Sequence, residues 1–345
     1  MKKNLCGYTR SEIEQLLTEL GKKTFHGRQL YKWMYKNLVF DFEEMTDLSK
    51  DIRAVLSESY RISLPAIANR QKSGDGTEKF LFELDDGQYV ESVLIPDDNS
   101  GRMTLCVSSQ VGCALGCEFC ATGRMGFIRD LTIGEIIAQP MTMRKLYGEN
   151  AFDNMVFMGM GEPLLNYDNV MAAIDILTDS LGMMLGAKRI TISTSGVARG
   201  IRKLANSGSK VKLAISLHAS NNKLRRRLMP IANSYKLPDL MDAIKTWTSV
   251  YARRVTFEYI LFKGVNDSKE HALELAKLIK GIPCKINLLS YNLVEGLDFE
   301  RPSDEEVDAF AKILYPRAPA VTVRKSRGKD IDAACGQLAG RKNKS

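Results

Sequence analysis

Eight residues constrain this chain more than any others: Cys113-Ala-Leu-Gly-Cys117-Glu-Phe-Cys120. Three thiols at C-x3-C-x2-C spacing, with Gly116 between the first two, make a loop able to wrap a metal centre. Thiolates bind soft metals and iron–sulfur clusters, and a cubane 4Fe–4S cluster has four irons to ligate. Three local cysteines leave one iron open to a chelating cosubstrate. The plainer readings are a zinc knuckle or a chance grouping. Structural zinc takes four closed N or S ligands, and no neighbouring His or Cys stands at zinc-loop spacing to supply the fourth. The incomplete donor set favours a cluster.

Length and composition set the frame. A chain of 345 residues can bury one large domain and a smaller one. Seven cysteines, odd in number and partly clustered, argue against a secreted disulfide framework and for a reducing cytoplasm. No apolar run reaches the length of about 18 residues that a membrane helix needs, and the start lacks a signal core. The formal charge is +8, and residues 321–345 hold seven Lys/Arg against two Asp. Such a segment either meets nucleic-acid phosphates or is a solvated basic tail.

Residues 1–60 read as a small helical module able to contact RNA. Leu16, Leu17 and Leu20 share a face before Gly21, and Leu30, Trp33 and Met34 recur at helical spacing. Arg28, Lys32 and Lys36 lie on another face. Residues 61–98 form a linking β-hairpin, with Asp85-Asp86-Gly87 as its turn. From 99 to 320, apolar strands alternate with helical stretches, the pattern of parallel βα units. The strands expected are 103–108, 154–158, 189–193, 211–217, 255–261 and 285–289, and Thr132-Ile-Gly-Glu135 opens one helix as a capping box. Six units suggest an open, partial α/β barrel with its chemistry on loops at the strand C-termini.

Polar or glycine-rich sets follow successive strands: Met158-Gly-Met-Gly161-Glu162-Pro, Ser193-Thr-Ser-Gly, Ser216-Leu217-His218 and Ser290-Tyr-Asn292. Their recurrence at one end of the sheet points to one shared ligand. Glu162 can accept hydrogen bonds from an ammonium group, and glycines let backbone approach a ligand. His218 also admits a structural reading, as a hydrogen-bonded histidine.

The cysteine spacing resembles the signature of the radical S-adenosylmethionine (SAM) superfamily. The string Thr322-Val-Arg-Lys-Ser-Arg-Gly-Lys-Asp-Ile-Asp-Ala-Ala-Cys335-Gly, with Cys106 and the Gln110-Val-Gly-Cys113 approach, is similar to the RlmN/Cfr group of RNA methyltransferases. The likeness covers essentially the whole chain. It implies a partial (β/α)6 radical SAM barrel, a 4Fe–4S cluster held by Cys113, Cys117 and Cys120, and two SAM molecules consumed per methylation. It implies SAM contacts at Gly161, Glu162, Ser193, Ser216, Leu217, His218 and Asn292, and a basic C-terminal segment (321–345) carrying the methyl-accepting Cys335. Cys106 would resolve a covalent RNA adduct by forming a disulfide, and Glu91 or the Cys106 thiolate would take the ring proton.

The implied partners are 23S rRNA, tRNA, an electron donor such as a flavodoxin system and a thiol reductant; a monomer free of membranes is expected. The implied product is C2-methyladenosine. Two rivals are a Cfr-type enzyme acting at C8, and a non-catalytic RNA-binding protein with a structural metal. Cys6 and Cys284 match no motif and read as structural.

Overall fold

The computed structural model describes residues 2–98 and 100–340. Helices α1 (Arg10–Glu19), α2 (Thr24–Tyr35) and α3 (Lys50–Ser59) form the N-terminal module. A capping box between Thr9 and Glu12 starts α1. Gly27 lets α2 close on it, since a Cβ there would lie 2.6 Å from the Cα of Glu14. Leu30 and Met34 are buried as the spacing requires, together with Tyr31 and Tyr35. Trp33 is half-buried and donates its indole N–H to Asp47. The module docks through Gly7, whose Cβ would sit 2.3 Å from the backbone nitrogen of Gly134.

Ten strands make one sheet. In chain order they are β1 (Ala66–Lys72), β2 (Glu78–Glu83), β3 (Tyr89–Asp97), β4 (Arg102–Cys106), β5 (Asn154–Phe157), β6 (Ile190–Thr194), β7 (Lys212–Ser216), β8 (Val255–Leu261), β9 (Cys284–Ser290) and β10 (Val321–Arg324). Neighbours in sequence are neighbours in the sheet. β1 to β4 pair antiparallel and β4 to β10 parallel. The expected hairpin is therefore no separate linker, because its second strand, β3, pairs directly with β4. A seventh parallel strand, β10, lies inside the stretch read as a basic tail.

Six crossovers join the parallel strands. The first contains α4 (Ala121–Arg124) and α5 (Ile133–Tyr147), followed by α6 (Tyr167–Thr178) and α7 (Ala198–Ala205) in the next two. The fourth contains α8 (Asn222–Leu228) and α9 (Leu237–Tyr251), and the last two contain α10 (Lys269–Leu278) and α11 (Asp304–Leu314). The Thr132–Glu135 capping box is formed, and α5 runs on through Pro140. Alternation along the strands buries Ile215, Phe257 and Ile286 in one register and sets Ser216, Glu258, Asn287 and Thr322 side by side in the next. Among the described residues no helix is long and apolar enough to cross a membrane.

Candidate active site

The cysteine loop leaves β4 through a short ribbon in which Gln110–Gly112 pairs with Phe127–Asp130. Gly112 is needed there: its φ is +71°, and a Cβ would fall 1.8 Å from the Gly126 carbonyl oxygen. Gly116, at φ +59°, turns the chain between Cys113 and Cys117. The loop is seated by the Glu118 N–H on the Leu228 carbonyl (3.0 Å) and by Phe119, packed edge-on to His218 with centroids 5.0 Å apart. Cys117 is buried, and Cys113 and Cys120 are half-buried.

Burial raises all three thiols, Cys113 to about 12; the Cys120 charge is felt at Cys113, and the charges of both at Cys117. No three His, Cys, Asp or Glu groups among the described residues are gathered tightly enough to hold a single ion.

Around this loop stand the sets that end the next strands. Glu162 is buried, and burial pushes its carboxyl up to about 7. Its oxygens accept the Ser195 N–H at 2.7 Å and the Leu164 N–H at 3.0 Å. Ser193, Leu217 and His218 are buried, and Ser216 is half-buried. His218 adopts φ +52°, and its Nδ1 accepts the Ile260 N–H at 3.0 Å. Burial, with the Arg225 charge beside it, holds its imidazole down to about 3, so the ring is neutral.

The glycines of the 158–163 loop approach protein rather than open space. A Cβ on Gly159 would lie 2.7 Å from Val107 backbone, and one on Gly161 (φ +95°) 2.4 Å from Gln110 Cβ. Gly161→Ala is expected to cost at least about 2 kcal/mol, from backbone strain plus overpacking. A lowered urea midpoint at unchanged m-value is the measurement.

After β10 the chain crosses to the far edge of the sheet as a strap, residues 325–340. Arg327 pairs with Asp98, the Gly328 N–H reaches Asp75 Oδ2 (2.8 Å), and the Ser73 hydroxyl meets Asp330 Oδ1 (2.6 Å). The amide of Ala121 then donates to the Gly336 carbonyl (2.7 Å), and Thr122 Oγ1 to that of Leu338 (2.6 Å), so the strap lies on the cysteine loop.

Cys335 sits mid-strap. Its surface is open to water, yet protein surrounds the thiol closely enough that burial raises it, with Glu258, Arg324 and Cys120 also felt. Asn292 donates from Nδ2 to the Cys335 carbonyl at 3.3 Å. Cys106 ends β4, buried, raised by burial and then by the Cys335 charge. All seven cysteines are free thiols. Glu91 is 3 % exposed. Its Oε2 accepts the N–H groups of Ala339 (2.7 Å) and Gly340 (2.9 Å), and its Oε1 pairs with Lys79 at 3.3 Å. Cys106 and Cys335 thus lie within electrostatic reach of each other and Cys335 of Cys120, while Glu91 holds the strap four and five residues beyond Cys335.

Comparison with known proteins decides the family. Residues 3–62 match the ribosomal RNA large subunit methyltransferase N-terminal domain, and residues 107–276 the radical SAM superfamily. The chain is 45 % identical to a dual-specificity RNA methyltransferase RlmN of Lawsonia intracellularis, over 97 % of this chain and 96 % of that one. A namesake from Halorhodospira halophila is likewise 45 % identical, over 97 % and 93 %. The chain belongs to the RlmN family. A solved radical SAM methyltransferase from Sphaerobacter thermophilus shares the fold at TM-score 0.93 and 43 % identity, covering 98 % of this chain and all of the other.

RlmN-family enzymes are SAM-dependent RNA methyltransferases that use a 4Fe–4S cluster and SAM, and the donor set here fits both. Buried thiols that resist ionisation alone are stabilised as thiolates by a cationic metal centre. Nearby, Arg225 is fully buried; it donates to the Ser195 carbonyl but leaves Nε and one terminal nitrogen unpartnered, facing a need for acceptors. The Asn292 Oδ1 is also buried without a donor.

Of the Arg225-Arg-Arg227 run, α8 turns the first arginine inward and leaves the other two exposed. Sequence reasoning also missed Lys79 and Thr122, which hold the strap; nothing in their local pattern signals partners 253 and 216 residues away. Of the basic tail residues, Arg341, Lys342 and Lys344 lie outside the described residues.

Proposed function

We propose that this RlmN-family chain methylates C2 of an adenosine in the peptidyl-transferase region of 23S rRNA and of an adenosine beside the anticodon of tRNAs. The route runs through an S-methylcysteine at Cys335 and a transient protein–RNA adduct resolved by Cys106. The observation that carries the reading is that the strap lays Cys335 on the cysteine loop within reach of Cys106, with Glu91 bonded to the same strap. C2 of adenine is an electron-poor amidine carbon, a poor nucleophile toward a methyl sulfonium. Bound at Cys113, Cys117 and Cys120, the cluster with SAM supplies a 5′-deoxyadenosyl radical. Gly161, Glu162, Ser193, Ser216, Leu217, His218 and Asn292 are assigned to holding SAM. The raised Glu162 carboxyl suits this, since an ammonium partner restores its charge.

Cys335 takes a methyl group, gives up one of its hydrogens and joins the ring through the remaining carbon. Glu91 accepts the C2 proton, and the single electron left on the ring passes to the electron-transfer system that serves the cluster, which restores the closed-shell ring. Burial keeps the Cys106 thiol protonated at rest, which weighs against Cys106 as that base. The Cys106 sulfur then attacks the Cys335 sulfur, and the bond to the RNA-bound carbon breaks with its electron pair leaving on carbon, which takes up the proton given up by the Cys106 thiol to become the methyl group. The resulting disulfide is returned to thiols by a thiol reductant, and an electron donor such as a flavodoxin serves the cluster.

The relatives compared above carry the RlmN name, which favours C2 over C8. Reconstituted protein incubated with SAM, reductant, an rRNA fragment and tRNA tests this, with the methyladenosine isomer identified by mass spectrometry. C8-methyladenosine as the product would overturn the C2 assignment.

The helical module and the exposed Arg226, Arg227 and Lys325 are assigned to the RNA surface. Replacing these three together by Gln should flatten the dependence of log K on log salt by roughly 0.7–0.9 per lost phosphate contact. An unchanged slope would make them a solvated face.

A further inference from the structure

We infer that the buried Lys79–Glu91 pair is a positioning device for Cys335, gripping both ends of the loop that carries the thiol. Glu91 accepts the amides of Ala339 and Gly340 after the cysteine, at 2.7 and 2.9 Å. Lys79, 3.3 Å from the other Glu91 oxygen, donates to the Asp332 carbonyl before it, at 3.4 Å. Both side chains are more than nine-tenths buried, and they sit on adjacent strands, β2 and β3. A buried ion pair is a weak source of stability, because desolvation offsets its Coulomb attraction. Here it fixes the separation of two strap segments instead. Between them the loop is tied by the Ala121 amide to the Gly336 carbonyl, by the Thr122 hydroxyl to that of Leu338, by the Asn292 side-chain amide to that of Cys335, and by its own Gln337 side-chain amide to the Leu293 carbonyl. Lys79 touches no reacting atom and acts through the strap.

The inference deepens the assignment of Cys335 as methyl acceptor, and its test is read on the strap backbone, so it stands or falls apart from that assignment. Full-length, cluster-loaded protein is compared with Lys79→Met, Lys79→Arg and Ala339→Pro by hydrogen–deuterium exchange. Proline at 339 removes one amide that Glu91 holds and leaves the core untouched. Peptides covering 331–340 are expected to exchange about tenfold faster in Lys79→Met and Ala339→Pro, the factor that follows from losing a hydrogen bond to a charged group. Peptides from β8 should be unchanged, and Lys79→Arg should restore protection. Methyl incorporation at Cys335 without RNA, read as peptide mass, should fall in the two loosened variants and recover in Lys79→Arg. Unchanged protection of 331–340 in Ala339→Pro overturns the inference, whether or not Lys79→Met folds; so does loosening that Lys79→Arg fails to reverse.

Discussion

Protein carrying Cys106→Ala is expected to end its reaction covalently joined to RNA through Cys335. The substitution leaves Cys335 and the three cluster thiols in place, so methyl acceptance and attack on the ring proceed. Resolution then lacks its nucleophile, since the remaining thiols, Cys6 and Cys284, belong elsewhere in the fold: Cys6 lies against Gly134 and Cys284 starts β9. Released methyladenosine should fall by on the order of a thousandfold, as when a covalent nucleophile is removed. A nuclease-sensitive band shift on a denaturing gel reads the adduct. Cys106 is 6 % exposed, so a packing role is the competing account. On that account the variant turns over slowly, with product free and no band. The double variant with Cys335→Ala must show no adduct, which locates the bond.

Loss of any one cluster thiol should be as severe. Cys113→Ala, Cys117→Ala and Cys120→Ala are each expected to yield folded protein with little iron and no 5′-deoxyadenosine. Three thiols are the full local donor set, and two cannot hold a cubane against solvent. The fold should survive because the loop adds little to the main apolar core, its Leu115, Cys117 and Phe119 packing in a separate cluster with Phe262 and Tyr291. Iron and sulfide analysis, with chromatography of cleaved SAM, gives the answer. Native iron content with full SAM cleavage in one of these variants would remove that cysteine from the site.

The parallel half of the sheet was legible because each strand is a short apolar run between helical stretches. All six expected strands fall within two residues of the observed ones. The seventh, Val321–Arg324, escaped because its four residues, Val-Thr-Val-Arg, merge into a basic string and pair on one side only, at the sheet edge. A carboxylate such as Glu91 on a hairpin strand ordinarily faces solvent. In the structure β3 is buried on both faces from Val90 to Leu94, since the strap covers the side that alternation assigns to water. No local pattern reports a cover drawn from the other end of the chain. Arg225 shows the same limit: a run of three arginines reads as a charged face, while the turn of α8 sends one of them inside.

The strap has a consequence for how the protein is made. It leaves β10 at one edge of the sheet and is bonded to β1–β3 and their turns at the other. These contacts join residues up to 257 positions apart. Closing so long a loop costs entropy that only a finished framework offsets. Both edges must therefore stand before the strap can settle. During synthesis the cysteine loop emerges and can fold long before residue 335 has been added, so placement of Cys335 is the last act of folding. A chain shortened by its final dozen residues would keep its cysteine loop and sheet yet lack Cys335, the thiol proposed to receive a methyl group.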